Sequence, residues 1–334
     1  IGDLEDELGD ELGDDWDTVG GLVFNTMGHV PEVGECVEYA GYEFCAEAMD
    51  GRRIDLVVLD PEQKQTTETA YDLAISGEIM RPWSSFEPAP HSIEKVIARR
   101  AAMELQAGMT ANLGFGISAN VPRILLEEGQ HGKVTWVIEQ GAVGGIPLLD
   151  FAFGCASNAE AFVASPHQFI YFQGGGFNCS LLSFLEIGAD GSVNVSRLSA
   201  TPHRTAGAGG FVDITARARK IVFSGTFNAG AKMRLEGGRL VIEREGKIAK
   251  FVPKVDQVSF SGKRAMEQGQ DITYVTERCV IKLLKDGLTI TEVAPGLDLQ
   301  RDILDQAATA LQVAKDVKQM DQRLFQPGTI GLSL

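Results

Sequence analysis

Val134-Thr-Trp-Val-Ile-Glu-Gln-Gly-Ala-Val-Gly-Gly145 joins an apolar, β-branched run to a glutamate and a glycine-rich turn. Residues 134–138 are typical of a strand buried in a parallel sheet. Glu139 then stands at the carboxyl end of that strand, where open α/β sheets bind their ligands. The glycines allow a ligand or another backbone to approach it. Glu139 is therefore a candidate functional residue, and an ordinary loop residue is the alternative.

The segments around this strand predict the same architecture. A helix is expected from Ser92, which can cap it, to Gly108, and a second helix is expected near Pro122. Helix and strand alternate up to Glu139, which indicates an α/β fold with an open, mostly parallel sheet and flanking helices. Further on, strands are expected at 168–172 and 221–224, β meanders at 232–252 and 272–293, and a closing amphipathic helix at 299–317.

The composition is that of a soluble globular protein. The chain has 334 residues, of which 44% are hydrophobic and 23% charged, and this length suits two or three domains. No apolar stretch approaches the roughly 20 residues that span a bilayer, so membrane insertion is not expected. The five cysteines form no CxxC pair, which favours reduced thiols in a cytoplasmic protein. The five histidines are scattered, and no metal site is predicted.

The charge is concentrated at one end of the chain. Residues 1–50 hold 15 acidic residues and no Lys or Arg, which leaves 46 − 15 = 31 acidic against 30 basic residues elsewhere. A net charge of −16 disfavours a nucleic-acid partner, but the acidic excess belongs to the first segment alone. This break predicts a boundary or fusion point near residues 54 and 55. Residues 1–54 would form an acidic linker (3–17) with a small β-rich module, and residues 55–334 would form the second part.

The first segment resembles a known small domain. Asp17-Thr-Val-Gly-Gly-Leu-Val-Phe-Asn25, Gly28-His-Val-Pro-Glu-Val-Gly-Glu35 and Asp50-Gly-Arg-Arg-Ile54 are similar to the transporter-associated domain of magnesium/cobalt-efflux and haemolysin-C-like proteins. In that family the domain follows a pair of CBS domains, which this sequence does not contain. The resemblance implies a regulatory or binding role, and no residue of the segment carries evident catalytic chemistry.

The remaining glycine clusters suggest a pocket built from loops. Glycine-rich loops after strands can hold phosphate groups through free backbone amides. Gly114-Phe-Gly116 lacks the third glycine of a GxGxxG motif, so a Rossmann dinucleotide site is disfavoured. The sequence contains neither GxxxxGK[ST] nor GxSxG, which gives no support for a P-loop or a hydrolase elbow. Tight turns alone account for most of the 38 glycines.

The clusters together resemble a larger family. Ile138-Glu-Gln-Gly-Ala-Val-Gly-Gly145 is similar to the active-site motif of family I CoA-transferases of the acetate or propionate type. Further blocks agree in order: Ser76-Gly-Glu78, Lys95-Val-Ile-Ala-Arg-Arg-Ala-Ala102, Asn112-Leu-Gly-Phe-Gly-Ile117, Tyr171-Phe-Gln-Gly-Gly-Gly176, Gly191-Ser-Val-Asn-Val-Ser196, Gly207-Ala-Gly-Gly-Phe-Val-Asp-Ile214, Val222-Phe-Ser-Gly-Thr-Phe227 and Met320-Asp-Gln-Arg-Leu-Phe325. The resemblance runs from about residue 55 to residue 334.

This resemblance implies transfer of CoA between an acyl-CoA and a short-chain carboxylic acid. The Glu139 carboxylate would attack the thioester, and a covalent glutamyl-CoA thioester would follow. CoA is then a substrate, and no tightly bound cofactor is expected. The glycines that correspond to oxyanion or CoA-binding positions are Gly207, Gly209, Gly210, Gly114, Gly116, Gly174, Gly175 and Gly176. Tight turns are the alternative role for each of them. Asp213 and Gln140 are candidate helpers, and a structural hydrogen bond is the alternative role for both.

The sequence departs from the family in one respect. The full family carries two α/β halves, and only the carboxyl-terminal half is represented here. We expect a fusion chimera that joins its two parts near Ile54-Asp55, and a partner or homo-oligomer that supplies the missing half. Without that half, weak activity or none is expected. Two alternatives remain: an acyl-CoA thioesterase that uses the same glutamate, and a non-catalytic regulatory or ion-transport-associated module.

Overall fold

The chain folds as two compact units, residues 1–68 and 69–334. The computed structural model describes residues 18–40, 42–50, 53–58, 73–149, 152–198 and 206–334. The predicted acidic linker, residues 3–17, lies outside the described residues. Within the described ranges, no helix combines the length and the apolar character needed to span a bilayer.

The first unit is a helix with a three-stranded antiparallel sheet. Its elements are α1 (Val19–Met27), β1 (Cys36–Tyr39), β2 (Tyr42–Asp50) and β3 (Arg53–Val58), and β2 is the central strand. The Thr18 hydroxyl accepts the Gly21 N–H and begins α1. Leu22 and Val23 of this helix pack on Phe44 of β2. The prediction of a small β-rich module is therefore confirmed.

Strand β3 runs through the position of the predicted fusion point. It pairs with β2 from Arg53 to Val58, so residues on both sides of Ile54-Asp55 belong to one strand of the first sheet. The two units separate further along, between Glu68 and Thr69.

Two of the five cysteines are not free thiols. Cys36 of β1 and Cys45 of β2 lie directly opposite each other in the antiparallel ladder and form a disulfide. The prediction of reduced thiols is wrong for this pair, because strand pairing brings together two residues that no short sequence motif connects. Cys155, Cys179 and Cys279 are free.

The second unit contains seven described α-helices and a long series of strands. The helices are α2 (Leu73–Ser76), α3 (Ile93–Ala102), α4 (Val121–Glu127), α5 (Ser165–Gln173), α6 (Phe211–Arg217), α7 (Gly262–Gln268) and α8 (Leu299–Asp302), and 3-10 turns cover Trp83–Ser85, Ile117–Asn120, Leu304–Gln306 and Gln322–Phe325. The strands are β4 (Thr110–Leu113), β5 (Thr135–Val137), β6 (Ala142–Val143), β7 (Ile146–Pro147), β8 (Ala156–Ser157), β9 (Ala161–Phe162), β10 (Cys179–Ser183), β11 (Glu186–Gly188), β12 (Val193–Asn194), β13 (Lys220–Ser224), β14 (Asn228–Ala229), β15 (Lys232–Glu236), β16 (Arg239–Arg244), β17 (Ile248–Ala249), β18 (Phe251–Val252), β19 (Asp271–Val275), β20 (Cys279–Leu284), β21 (Gly287–Val293) and β22 (Gln312–Gln319).

A ten-stranded sheet organises this unit. Its strand order is β22-β21-β20-β19-β13-β10-β4-β5-β6-β9. The five strands from β19 to β5 are parallel to one another, and antiparallel pairs flank them on both sides. Their carboxyl ends therefore share one edge of the sheet, and the strand before Glu139 is one of them. The predicted α/β class with an open, mostly parallel sheet is confirmed.

Hydrophobic cores cover both faces of this sheet. Leu181 of β10 joins one buried cluster and its neighbour Leu182 joins the other, as expected for consecutive residues of a strand. Helices α3 and α4 contribute to the first cluster, and α5, α6 and α7 contribute to the second. The Ser92 hydroxyl caps α3 as predicted, by accepting the Lys95 N–H, although α3 ends at Ala102, before the expected Gly108.

Two predicted elements are wrong. Residues 168–172 form part of α5 rather than a strand, because Pro166 lies in the first turn of a helix whose Phe172 side chain is buried. The predicted closing helix over 299–317 is limited to α8 and a 3-10 turn. Residues 312–319 instead form β22, which adds to the open edge of the sheet beside β21.

Candidate active site

A tight turn at the end of β5 sets the position of Glu139. The Ile138 N–H donates to the Ala142 carbonyl at 2.9 Å, and the Gly141 N–H donates to the Ile138 carbonyl at 2.9 Å. Gly141 has a φ of +118°, and a Cβ there would collide with the Val163 carbonyl oxygen. Only glycine fits this position, and the turn it permits leaves Glu139 at the carboxyl edge of the sheet.

Polar side chains, two of them fully buried, hold the backbone around Glu139. The Ser165 hydroxyl, at the start of α5, donates to the Glu139 carbonyl at 3.1 Å. The Asn112 amide of β4 donates to the Val137 carbonyl at 3.1 Å, and the Ser180 hydroxyl of β10 donates to Asn112 at 3.0 Å. Three adjacent strands are thereby tied together just before Glu139. The sequence did not identify Ser165 as a site residue, because a strand was predicted at 168–172 where α5 lies.

The Glu139 carboxylate faces the glycines that precede α6. The Gly210 N–H donates to this carboxylate. A Cβ at Gly210 would collide with Glu139 Oε2 and would lie 2.8 Å from the Phe169 ring, while a Cβ at Gly209 would lie 3.6 Å from Glu139 Oε1. The carboxylate therefore approaches the backbone of this loop at a distance that a side chain at position 210 would prevent.

The pKa of Glu139 is raised above its usual value. Burial is the largest cause, because the partly buried site solvates the charged form poorly. The Gly210 N–H opposes the shift by stabilising the carboxylate, and the negative charge of Asp213 adds to it. Asp213 is itself held by Gln173, whose side-chain amide donates to Asp213 Oδ1 at 2.7 Å. Gln140, the other predicted helper, has its Nε2 at 3.5 Å from Glu139 Oε1.

The remaining predicted glycines fall at two different edges of the sheet. Gly114 and Gly116 follow β4, the neighbour of β5, and so lie at the same carboxyl edge as Glu139. A Cβ at Gly114 would lie 2.7 Å from Leu182 Cδ2, and one at Gly116 would lie 2.7 Å from Ser183 Oγ. Both glycines therefore allow close packing between β4 and β10. Gly207 has a φ of +77°, and no atom of the described residues beyond its chain neighbours lies within 4 Å of a Cβ placed there.

Gly174, Gly175 and Gly176 lie at the other edge. They follow the carboxyl end of α5 and precede Asn178, which pairs with Thr110 at the start of β4. A helix of this length spans ~13 Å, so Ser165 and Gly174 are far apart. A Cβ at Gly176 would collide with the Tyr171 ring. The structure does not bring these three glycines to Glu139, and their role in CoA binding stays a prediction.

Comparison with known proteins separates the same two parts of the chain. The family model described as "Transporter associated domain" matches residues 1–63. The magnesium and cobalt efflux protein CorC of Vibrio cholerae is 46% identical over 55 residues, which are 16% of this chain and 19% of CorC.

Most of the chain matches a second set of proteins. Caffeate CoA-transferase of Acetobacterium woodii is 40% identical over 287 residues, which are 84% of this chain and 55% of that protein. The solved acyl-CoA transferase YdiF of Escherichia coli O157:H7 superimposes with a TM-score of 0.74 at 36% identity, over 83% of this chain and 51% of YdiF. The larger part of this chain is homologous to CoA-transferases. YdiF has also been solved as a thioester complex with CoA.

The CoA-transferase homology covers only part of these relatives. The chain spans about half the length of the curated CoA-transferases it matches. Glutaconate CoA-transferase of Acidaminococcus fermentans superimposes with a TM-score of 0.53 at 13% identity, over 71% of this chain and 91% of the matched chain. The last comparison shows a shared fold, and in that protein the fold occupies nearly a whole chain.

Proposed function

We propose that residues 69–334 form the nucleophile-bearing half of a CoA-transferase that moves CoA from an acyl-CoA to a short-chain carboxylic acid. The observation that carries the proposal is the Glu139 carboxylate, held at the carboxyl edge of the parallel sheet against the Gly210 N–H. Its raised pKa reflects poor solvation of the charge, which makes an ionised carboxylate a better nucleophile.

The reaction proceeds by double displacement. The Glu139 carboxylate attacks the thioester carbonyl, and the carbon–sulfur bond breaks to give an acyl-glutamyl anhydride and a CoA thiolate. The thiolate then attacks the glutamyl carbonyl, releases the first carboxylate and leaves a glutamyl-CoA thioester. A second carboxylate reverses these steps. YdiF has been solved as a thioester complex with CoA, which supports a thioester intermediate.

Backbone amides of the glycine loop assist these steps. Each attack places negative charge on a carbonyl oxygen, which preorganised N–H groups stabilise. The Gly210 N–H already donates to the Glu139 carboxylate, and Gly209 lies beside it. When Glu139 becomes a thioester, it loses its charge and its repulsion with Asp213. The same loop therefore suits the carbonyl oxygen of the covalent intermediate.

Intact-protein mass spectrometry tests the nucleophile. After incubation with acetyl-CoA or propionyl-CoA, we expect a CoA-sized adduct on the wild type and none on Glu139→Ala. Glu160→Gln, at a nearby exposed position, is the matched control and is expected to keep the adduct. An equal adduct on Glu139→Ala would refute the role of Glu139.

A thioesterase that uses the same glutamate is the competing activity. In that case water, rather than an acid, resolves the glutamyl-CoA thioester. We expect release of the acyl product to depend on added acetate or propionate. Release of free CoA at a rate independent of the acid would favour the thioesterase.

The active assembly needs a second α/β half, either from the rest of a longer protein or from a partner chain. This proposal follows from the half-length match to the curated relatives. Exposed apolar side chains near the site support it: Ile170 of α5 is 64% exposed and Val212 of α6 is 53% exposed. Phe115, in the loop after β4, is 63% exposed. Burial of such side chains by a second domain would be favourable.

Turnover by the chain alone tests this assembly. We expect steady-state exchange between acyl-CoA and a free acid to be slow for residues 1–334 at concentrations where sedimentation shows a monomer, while the single covalent adduct on Glu139 still accumulates during a long incubation. If two copies of the chain complete each other, activity rises with concentration, and Ile170→Lys combined with Val212→Lys abolishes the rise. Ile248→Lys, at an exposed position on β17, is the control. Full steady-state turnover by a monomer would contradict the proposal.

We also propose a cofactor requirement, a compartment and an origin for the chain. CoA acts as a substrate, with no tightly bound cofactor. We propose the cytoplasm as the compartment. We propose that the chain is a fusion of a transporter-associated domain with part of a CoA-transferase.

A further inference from the structure

We propose that the outer face of the β1–β2 hairpin becomes a binding site for a divalent cation of the zinc type when the Cys36–Cys45 disulfide is reduced. The outer face is defined by Cys36 and Glu38 on β1 and by Glu43 and Cys45 on β2. This inference concerns the first unit and does not depend on the proposed CoA-transferase activity.

Strand geometry places these four residues together. Cys36 is opposite Cys45 and Glu38 is opposite Glu43 in the antiparallel ladder. Residues two apart on a strand point to the same face, so all four side chains share one side of the hairpin. The alternate residues, Val37 and Phe44, point to the other side, where they pack with helix α1.

The ligand atoms are close enough for one ion. The sulfur atoms of Cys36 and Cys45 and a carboxylate oxygen of Glu43 lie within 4.8 Å of one another. Zinc bonds thiolates at ~2.3 Å in a tetrahedron, which separates its ligands by ~3.7 Å. Small side-chain rotations after the sulfur–sulfur bond breaks are enough to reach that spacing. Two thiolates and a carboxylate are a donor set that suits zinc and cobalt better than magnesium.

The charges of the hairpin also favour the binding of a cation. Glu38 and Glu43 lie directly across the ladder, and like charges in that position destabilise a strand pair. Reduction adds two thiol groups that become negative when they bind a metal. A divalent cation would neutralise the thiolates and reduce the repulsion between the glutamates.

Reduction can begin from the solvent side. Cys36 is exposed, whereas Cys45 is buried. A thiolate of a dithiol reductant attacks Cys36 Sγ, the sulfur–sulfur bond breaks, and Cys45 leaves as a thiolate. The second sulfur of the dithiol then displaces the Cys36 thiolate, and the dithiol becomes a disulfide. Two electrons and two protons reach the protein, and cation binding releases the two thiol protons.

The oxidised hairpin lacks this site. Sulfur atoms that share a disulfide carry no thiolate charge, so only carboxylates remain on the outer face. The hairpin is therefore expected to bind the cation in its reduced state and to release it on oxidation. Cation binding also protects the thiolates from oxidation, since metal-bound sulfur is not free to attack an oxidant.

Cobalt titration of the full chain tests the proposal. Co²⁺ bound to thiolate absorbs in the near ultraviolet through sulfur-to-metal charge transfer, and Zn²⁺ is expected to displace it. We expect the reduced chain to bind one equivalent with this absorption and the oxidised chain to show none. Cys36→Ser is expected to abolish the absorption, and Glu43→Gln to weaken Co²⁺ binding by about tenfold or more.

Matched variants separate this site from other ligands. Cys155→Ser removes a free thiol of the second unit, and Glu32→Gln removes an exposed carboxylate of the first unit, so both are expected to leave the titration unchanged. Glu43→Gln retains both thiols, which keeps the test valid if Cys36→Ser fails to fold. No thiolate absorption in the reduced wild type would overturn the proposal, as would unchanged affinity in Glu43→Gln.

Discussion

Two glycine-rich segments look alike in sequence and lie in different surroundings in the structure. Gly207-Ala-Gly-Gly210 and Gly174-Gly-Gly176 both belong to blocks that resemble CoA-transferases. The first lies before α6, where the Gly210 N–H donates to the Glu139 carboxylate. The second follows α5, where the Tyr171 ring covers Gly176. The edge of the sheet at which a loop falls therefore decides what its glycines contact.

The two segments need glycine for different reasons. At position 210 the missing side chain leaves room for the Glu139 carboxylate, the proposed nucleophile. At position 176 it leaves room for an aromatic ring, so glycine serves packing. Substitutions at the two positions are expected to fail in different ways, one in activity and the other in stability.

The largest effect is expected from Gly210→Ala. The added methyl group would collide with Glu139 Oε2 and displace the carboxylate from the backbone N–H. We expect the rate of CoA adduct formation, measured by quenched-flow mass spectrometry, to fall on the order of 100-fold. Gly132→Ala is the control, since that glycine has open space around it. A wild-type rate in a folded Gly210→Ala protein would show that adduct formation does not require glycine at position 210.

Gly176→Ala is expected to act on stability instead. The methyl group would collide with the Tyr171 ring, and overpacking of this kind costs about 1–3 kcal/mol of unfolding free energy. Thermal denaturation followed by circular dichroism measures the loss, again beside Gly132→Ala. Below the unfolding transition, adduct formation is expected at the wild-type rate. If the rate fell while the melting temperature stayed constant, Gly174–Gly176 would contact CoA as the family resemblance implies.

A smaller effect is expected from Asp213→Asn. Asp213 raises the pKa of Glu139, so loss of its charge lowers that pKa. Adduct formation requires the ionised carboxylate and therefore declines as pH falls through the pKa. We expect the midpoint of the wild-type pH–rate profile above the usual glutamate value of about 4.3, and a lower midpoint for Asp213→Asn. Asp286→Asn, in a distant turn, should keep the wild-type midpoint.

The smallest effect is expected from Glu139→Gln on stability. Because the folded-state pKa of Glu139 is raised, the folded protein binds more protons than the unfolded chain between the two pKa values. The unfolding free energy therefore falls as pH rises through this window, and the ionised group costs stability at neutral pH. Glu139→Gln should melt slightly above the wild type at pH 7, and the difference should vanish near pH 4. A lower melting temperature at pH 7 would show that the carboxylate stabilises the fold.

The sequence predicted the local part of the site. The apolar run before Glu139 and the glycines after it are signals carried by neighbouring residues, and they correspond to β5 and the turn at Gly141. The cap at Ser92 is of the same kind. The resemblance to CoA-transferases predicted in addition that Gly209 and Gly210 lie near Glu139. No local sequence pattern contains that information.

Elements that depend on distant partners were not predicted. The Cys36–Cys45 disulfide follows from the register of β1 and β2. Strand β22 has helical spacing in its sequence but adds to an open sheet edge, where backbone pairing overrides that spacing. Residues 168–172 are rich in strand-forming side chains, yet they belong to a helix that buries Phe172 in the core. In each case the deciding contact lies outside the local window.

Mapping of the CoA adduct tests the central claim most directly. The chain is incubated with acyl-CoA, quenched and digested, and the peptide that carries CoA is sequenced by tandem mass spectrometry. We predict CoA on Glu139, in a linkage that hydroxylamine cleaves. An adduct on another residue, or on Glu139→Ala as abundantly as on the wild type, would contradict it.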